Sequence, residues 1–517
     1  LFKPYKHTKI ANRSLVFIKI FLPEFIYFCL QSFLYYSFKF KGMKKLSTVI
    51  DYQLLSNRHR LLTVCGSLFT ASVFARAGGG GGGHSSSGGG GGFSGGHGFY
   101  GVGGGGGSLN GGTIALIIVA IILYFIITNY MKKNKNGAAI LSAFGGGDDD
   151  HAPMVSNMPF PEGLDTEKVS SSFLSIQDAW QNKDLKKVRK WISDGVYQRF
   201  NAQFAMMNKL GQVNKLTNIR IDGVALANAG ADGPYQTADV AVSFTMDDEF
   251  ISDKYPSFNQ KFRGESAMEY WTFIKRNDAQ SNKNLYNNNN CPNCGAPFDT
   301  AMGEISRCGS CGTLTNNASY DWVLSEITQQ DDYDGGANFS KRAELHELTK
   351  NDSLFSVQRI EDVASNVFMQ IMEVMSGEPE KKLARFADEE TKQEILKTKK
   401  EQGNFIFDRL YLNDVDLIDF NTANERLKLI FSMKATYQRV QAGEKLKLID
   451  SDMITRNYTM VLSKNLKALQ TAEKETVFSY ECATCAGPFT DTTNDVCPYC
   501  GAAVVDFNKN WVLTSFK

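Results

Sequence analysis

Histidine is scarce in this chain, and its absence from two long regions excludes more chemistry than its presence elsewhere suggests. The 517 residues hold six histidines: His7, His59, His84, His97, His151 and His346. All six lie outside residues 165–328 and 356–517, which the composition marks as folded domains. No Ser-His or Cys-His pair can therefore be assembled within either domain. A phosphate-binding glycine loop and an HExxH helix are missing as well. Net charge is also nearly absent, with 56 basic residues against 55 acidic ones. Without a global field to attract phosphates, no nucleic-acid partner is expected. Lys392, Lys397, Lys399 and Lys400 do cluster, but Glu389, Glu390, Glu394 and Glu401 interleave with them. That pattern reads as the solvated face of a helix.

Cysteine is infrequent too, at ten residues, yet eight of the ten fall into two matching quartets. The first is Cys291, Cys294, Cys308 and Cys311; the second is Cys482, Cys485, Cys497 and Cys500. Each is followed by a Trp-Val-Leu, at Trp322 and Trp511, at the same distance from the last cysteine. This is a duplicated unit. Two CxxC turns brought together by a short hairpin aim four sulfurs at one point, which suits tetrahedral Zn²⁺. Gly295, Gly312 and Gly501 follow the second cysteine of their pairs, where a knuckle needs positive φ. Redox CxxC motifs normally come singly, and two full sets are hard to explain that way. Four thiolates leave no open coordination position, so two structural zinc sites are expected rather than catalytic ones. These motifs resemble the zinc-ribbon family, with ribbons at 291–312 and 482–501.

The first 150 residues do not read as globular. Residues 1–42 begin at Leu1 and fit no pattern well; they are expected to be a doubtful extension preceding a start at Met43. Residues 43–77 read as a secretory signal: Arg58-His59-Arg60, an apolar run from Leu61 to Phe74, then Ala75-Arg76-Ala77. Residues 78–112 are mostly glycine and cannot bury a core. Residues 113–131 carry no charge, and nineteen helical residues span about 28 Å, close to the thickness of a bilayer's hydrocarbon. Lys132, Lys133 and Lys135 follow at once, so the positive-inside rule puts the C-terminal side in the cytoplasm. There thiols stay reduced and free to hold metal. Residues 132–164 read as a linker.

From Asp165 onward apolar spacing returns. Val169, Phe173, Ile176 and Trp180 mark one face of a helix, with Thr166 as its expected cap. Leu185, Val188 and Ile192 suggest a short second helix, and Val196, Phe200, Phe204 and Met207 a third. Alternation then takes over at Ile219–Gly223, Ala238–Phe244, Tyr270–Ile274 and Asp321–Ile327. The second domain repeats the plan. Val363 to Val374 mark a helix, Leu383 and Phe386 a short one, and Glu389–Gln402 a charged one. Strands are expected at Phe405–Phe420, Leu427–Tyr437, Thr455–Ser463 and Trp511–Phe516. Helices before antiparallel strands give an α+β class. Each ribbon is an insertion between the last two strands, and residues 329–355 read as a linker.

Residues 165–328 resemble the TIM forty-four-like domain family, named for the membrane-tethering subunit of the mitochondrial inner-membrane import motor. The resemblance rests on Ala179-Trp180 with Asp184-Leu185, on the Phe200–Leu210 helix ending at Gly211, on Glu269-Tyr270-Trp271-Thr272-Phe273, and on Asp321-Trp322-Val323-Leu324 with Ile327. Residues 356–517 resemble it more weakly, through Tyr458-Thr459-Met460-Val461 and Trp511-Val512-Leu513. The resemblance implies two cone-shaped domains, each with helices packed on a curved antiparallel sheet around an apolar pocket. Family members with the motor-tether role generally lack such ribbons and bind the membrane peripherally. Bacterial members are typically membrane-anchored. The expected setting is a bacterial inner (plasma) membrane crossed once, with both C-terminal domains cytoplasmic. The expected role is a membrane-anchored, non-enzymatic adaptor that binds a protein partner or phospholipid through the apolar cone pockets, with the ribbons as rigid recognition knobs, in translocation or membrane-protein biogenesis. The alternative is a small-ligand sensor or an acid–base enzyme using the cone pocket, for which Asp239 and Tyr270 on predicted strands are the candidates.

Overall fold

In the computed structural model the described residues are 158–279, 284–298, 302–335, 339–470, 482, 484–485, 487, 489, 495–504, 507 and 510–517. Two short strands, β1 (Ser72–Phe74) and β2 (Gly81–Gly83), are also described and pair antiparallel. The expected extension, signal and glycine tract otherwise lie outside these residues, as does the expected span at 113–131. Among the described residues no helix is long and apolar enough to cross a membrane.

The first half opens with α1 (Thr166–Asn182). Its cap is Asp165, whose carboxylate accepts the Lys168 N–H at 2.7 Å; Thr166 is already inside the helix. The Asp165 carboxylate, one position earlier and in extended backbone, reaches an orphan donor of the first turn, and such caps contribute about 1 kcal/mol. Val169, Phe173, Ile176 and Trp180 bury their side chains as the spacing predicts. The expected helix at Leu185–Ile192 is instead a pair of turns, with Arg189 N–H donating to Leu185 O and Ile192 N–H to Val188 O. The reason is competition for backbone groups. Ser193 N–H donates to Leu324 O, and Leu324 N–H donates to Trp191 O, both at 2.9 Å, so the chain is drawn out beside the last strand as a parallel bridge. Ser193 then caps α2 (Asp194–Lys209) by accepting the Val196 N–H at 3.1 Å.

Strands β3 (Gln212–Asp232), β4 (Tyr235–Ser252), β5 (Gln260–Arg276) and β6 (Val323–Gln329) form one antiparallel sheet in that order. Three register shifts interrupt β3–β4 pairing, at Thr217/Arg220, Ile221/Gly223 and Leu226/Asn228. Each inserted residue bends its strand, and together they curl the sheet around the helices. Phe173 of α1 meets Phe244 of β4 at 4.7 Å and Trp271 of β5 at 5.5 Å. These buried rings pack α1 onto the inner face of the sheet.

The second half starts within the expected linker. There α3 (Arg342–Thr349) buries Leu345, and Phe339 and Phe355 on either side join the second core. Next come α4 (Val357–Met375), a 3₁₀ turn at Glu380–Arg385 and α5 (Glu389–Gln402). Strands β7 (Ile406–Ala423), β8 (Arg426–Gln441), β10 (Ile454–Asn465) and β11 (Val512–Phe516) form the sheet, with the two-residue β9 (Lys447–Leu448) paired to β8. Again three register shifts curve the first pair. Again the last strand takes a parallel bridge just before a helix cap: Ala387 pairs with Leu513, and Asp388 caps α5. The two halves thus share element order and sheet order.

They are not separate beads. Helix α4 is buried over most of its circumference, one side on its own sheet and the other against α2. Ala202 and Met206 of α2 belong to the second core, and Tyr411 of β7 to the first. Arg199 of α2, fully buried, donates to Ser365 Oγ at 2.7 Å and to Ile327 O at 3.0 Å, and pairs with Glu326. The last strand of the first sheet, β6, is consequently buried along its length.

Candidate metal centres and an interdomain cleft

The structure brings all eight predicted cysteines together as two quartets. Within each, the sulfurs lie within 4.8 Å of one another. Cys291 and Cys311 stand 3.7 Å apart, Cys294 and Cys308 3.8 Å, Cys482 and Cys500 3.6 Å, and Cys485 and Cys497 3.6 Å. A tetrahedral ion with ~2.3 Å metal–sulfur bonds separates its ligands by about 3.8 Å, whereas a disulfide holds sulfurs at about 2.05 Å. The quartets therefore fit one metal ion each, and their donor set is compatible with zinc. No cysteine among them is in a disulfide.

Local backbone chemistry builds these knuckles. Gly295, Gly312 and Gly501 hold φ of +75°, +72° and +72°, as expected. Their N–H groups donate at 2.9 Å to the carbonyls of Cys291, Cys308 and Cys497. Cys291, Cys308, Cys482 and Cys497 are buried, and the second cysteine of every pair is exposed. Hydrogen bonds from the Thr313 hydroxyl and N–H bring the Cys311 thiol down to about 6, while burial pushes the Cys291 thiol up to about 12. The first ribbon is tied into its domain by Arg189, which donates to Glu304 O at 2.6 Å and to Gly303 O at 3.3 Å. Lys190 adds a bond to Asn288 O at 2.7 Å, and Trp191 stacks on Tyr286 at 4.7 Å.

Asp239 and Tyr270 are placed differently from expectation. Strand alternation puts Ala238, Val240, Val242 and Trp271 in the apolar core, so Asp239 and Tyr270 occupy the opposite sheet face, outside the cone. Tyr333, from the expected linker, joins them. Its ring stacks on Tyr270 at 3.8 Å and its hydroxyl donates to Asp239 at 2.8 Å. Asp239 also accepts the Thr272 hydroxyl at 2.8 Å. Burial raises the Asp239 carboxyl above its usual range even so.

Asp239 lines a cleft of about 230 Å³ between the halves. Its walls also carry Glu326 of β6, Glu361 of α4, and Asp414 and Asp416 of β7. Sequence reasoning missed these four. The signal available was Asp414-Val-Asp416 on a strand, since aspartate is depleted there unless the site needs it. A much smaller void of about 10 Å³, bordered by Trp180, Met207, Phe250 and Tyr411, has room for one water.

Residues 166–284 match the family model of the Tim44-like domain. The match covers α1 through β5 and stops short of Cys291. No curated protein matches the chain, and no solved structure does.

Proposed function

Residues 166–284 are a Tim44-like domain, and from that premise we propose that this chain is a membrane-associated, non-enzymatic adaptor with a translocation-related role. The domain match is the observation that carries the reading. In this proposal 113–131 crosses a bacterial inner membrane once and both halves face the cytoplasm, where reduced thiols hold two structural zinc ions. The halves descend from one duplicated unit, as their shared strand order and bridge-before-cap arrangement support. Zinc supplies no reaction here; it closes each ribbon into a rigid knob. The packed rings of Phe173, Phe244 and Trp271 favour contact with a protein or phospholipid across outer surfaces over deep insertion into the first cone.

Detergent extraction of the tagged full chain, followed by mass spectrometry of retained proteins and lipids, tests the reading. Reproducible enrichment of a protein partner or a phospholipid class supports it. Retention of neither at the membrane overturns it. Impermeant thiol labelling of Cys294 and Cys485 in intact cells tests the topology, and labelling from outside rejects the cytoplasmic placement.

One observation favours a second reading, a small-ligand sensor or acid–base enzyme: Asp239 sits in a cleft with its carboxyl raised by burial. Co-purification of a small metabolite instead of a macromolecule selects that reading.

A further inference from the structure

The two ribbons are joined to the rest of the molecule in different ways. The second is built into its own half: Phe489 and Val504 belong to the second core, Arg385 stands over the Phe489 ring at 6.0 Å, and Arg426 donates to Phe507 O at 2.9 Å. Its knuckle turns outward, with Tyr499 64 % exposed. The first ribbon lies within the first half of the sequence and yet reaches the other half. Ile305, 7 % exposed, is part of the second core, and half-buried Leu314 packs against that same core. These two residues flank the Cys308–Cys311 knuckle. Its arms are tied by the Arg307–Leu314 bridge, by Cys308 N–H donating to Thr313 O at 2.8 Å, and by the buried Ser306 and Thr315 hydroxyls bonded at 2.7 Å. Fixing the knuckle therefore fixes the two side chains that face the second core.

Polar contacts run beside the apolar ones. Arg189, with its side chain fully buried, donates to the ribbon carbonyls of Gly303 and Glu304 and pairs with Asp194 at the start of α2. Asn316, just past the ribbon, donates to the same Asp194 carboxylate at 2.9 Å. The Asp194 carbonyl accepts the side-chain N–H of Asn366 on α4 at 3.0 Å, while Ser193 and Gly195 on either side donate to Asp362. Asp194 is thus gripped by the ribbon on its side chain and by the second half on its backbone. Releasing either hold strands polar groups at a buried helix end, which costs free energy. A short hairpin without a core of its own takes its folding energy from the metal. We propose that the first metal centre is the joint between the halves: metal held by Cys291, Cys294, Cys308 and Cys311 seats Ile305 and Leu314 and fixes Asp194, whereas metal at the second quartet holds its own ribbon alone. Loss of the first ion loosens the seam between α2 and α4, and loss of the second leaves it closed. This inference rests on the metal reading of the first quartet and is independent of the adaptor role.

Hydrogen–deuterium exchange of the full chain in detergent, with zinc content measured on the same preparations, tests the joint. Parent, Cys308→Ser and Cys497→Ser chains are compared at the first turns of α2 and α4, with the centre of β4 as the internal control for folding. Exchange at the two helix starts should rise about tenfold or more in Cys308→Ser, while β4 keeps its protection and Cys497→Ser matches the parent at all three places. Asn316→Ala supplies a second variant that leaves every cysteine in place. It should retain both zinc ions and still loosen the first turn of α2. The proposal is overturned if Cys308→Ser loses its zinc and the seam exchanges at the parent rate, or if Cys497→Ser loosens the seam equally. It is overturned as well if β4 loosens as much as the seam, because the metal then holds a whole domain instead of a joint. A parent chain without zinc sinks the metal reading itself, and the zinc measurement reports that separately from the exchange.

Discussion

Asp362 of α4 holds the first turn of α2 from the other half of the molecule, accepting the Gly195 N–H at 2.9 Å and the Ser193 hydroxyl. A carboxylate at a helix N-terminus satisfies orphan donors and faces the positive end of the dipole. Gly195 is required at this approach. A Cβ there would stand 2.2 Å from Asp362 Oδ1 and 2.4 Å from the Asp362 backbone carbonyl. The backbone oxygen cannot swing away, so Gly195→Ala must push the helices apart. A loss of about 1–3 kcal/mol is expected, the usual cost of overpacking. Chemical denaturation checks the loss, and unchanged stability would show that the contact is slack.

The same carboxylate makes stability pH-dependent. Burial, then the nearby charges of Asp194 and Glu326, push Asp362 up to about 7, against the opposing bond from Ser193. With the folded value above the unfolded one, the folded state holds the proton longer. Stability from this group is therefore present at acidic pH and declines as pH rises from about 4 through about 7. Asp362→Asn keeps an acceptor for Gly195 and removes the titration. Denaturation midpoints measured from pH 5 to pH 8 should fall less steeply in that variant. An identical slope would assign the dependence elsewhere.

Arg199 and Glu326 form a buried pair at the seam. Removing one partner strands the other, and Arg199→Ala should cost about 3–5 kcal/mol. Adding Glu326→Gln to that variant should restore part of the loss, because the stranded charge is gone. A double-mutant cycle by denaturation checks this, with strict additivity as the contrary outcome.

Metal content should respond quartet by quartet. Cys308→Ser and Cys497→Ser each remove a buried ligand from a different cluster. Elemental analysis should fall from about two zinc ions per chain to about one in either variant. Apparent zinc affinity in such sites amounts to about 10–16 kcal/mol, so strong chelation should expose both ribbons to proteolysis. Less than about one zinc in the parent chain refutes the metal reading.

Much of the architecture was legible because it depends on periodicity and spacing. The faces of α1 and α4, the charged α5, and every strand of both sheets except the two-residue β9 follow local patterns. The quartets follow from cysteine spacing alone. What escaped was non-local. The turn at Leu185–Ile192 depends on Leu324, far away in sequence, claiming its backbone groups. Alternation along β4 could show that Asp239 and Val240 face opposite ways but not which face the second half covers. The cleft itself is assembled from β4, β6, α4 and β7, and no single stretch of sequence announces it.

The exchange of side chains across the seam has a practical corollary for anyone dividing the chain. Cutting between 328 and 356 would leave Met206 and Ala202 of the N-terminal piece without their lining, and would strip Tyr411 of the C-terminal piece from its niche. Each fragment would show greasy surface to water and clump, despite looking like an autonomous module on paper.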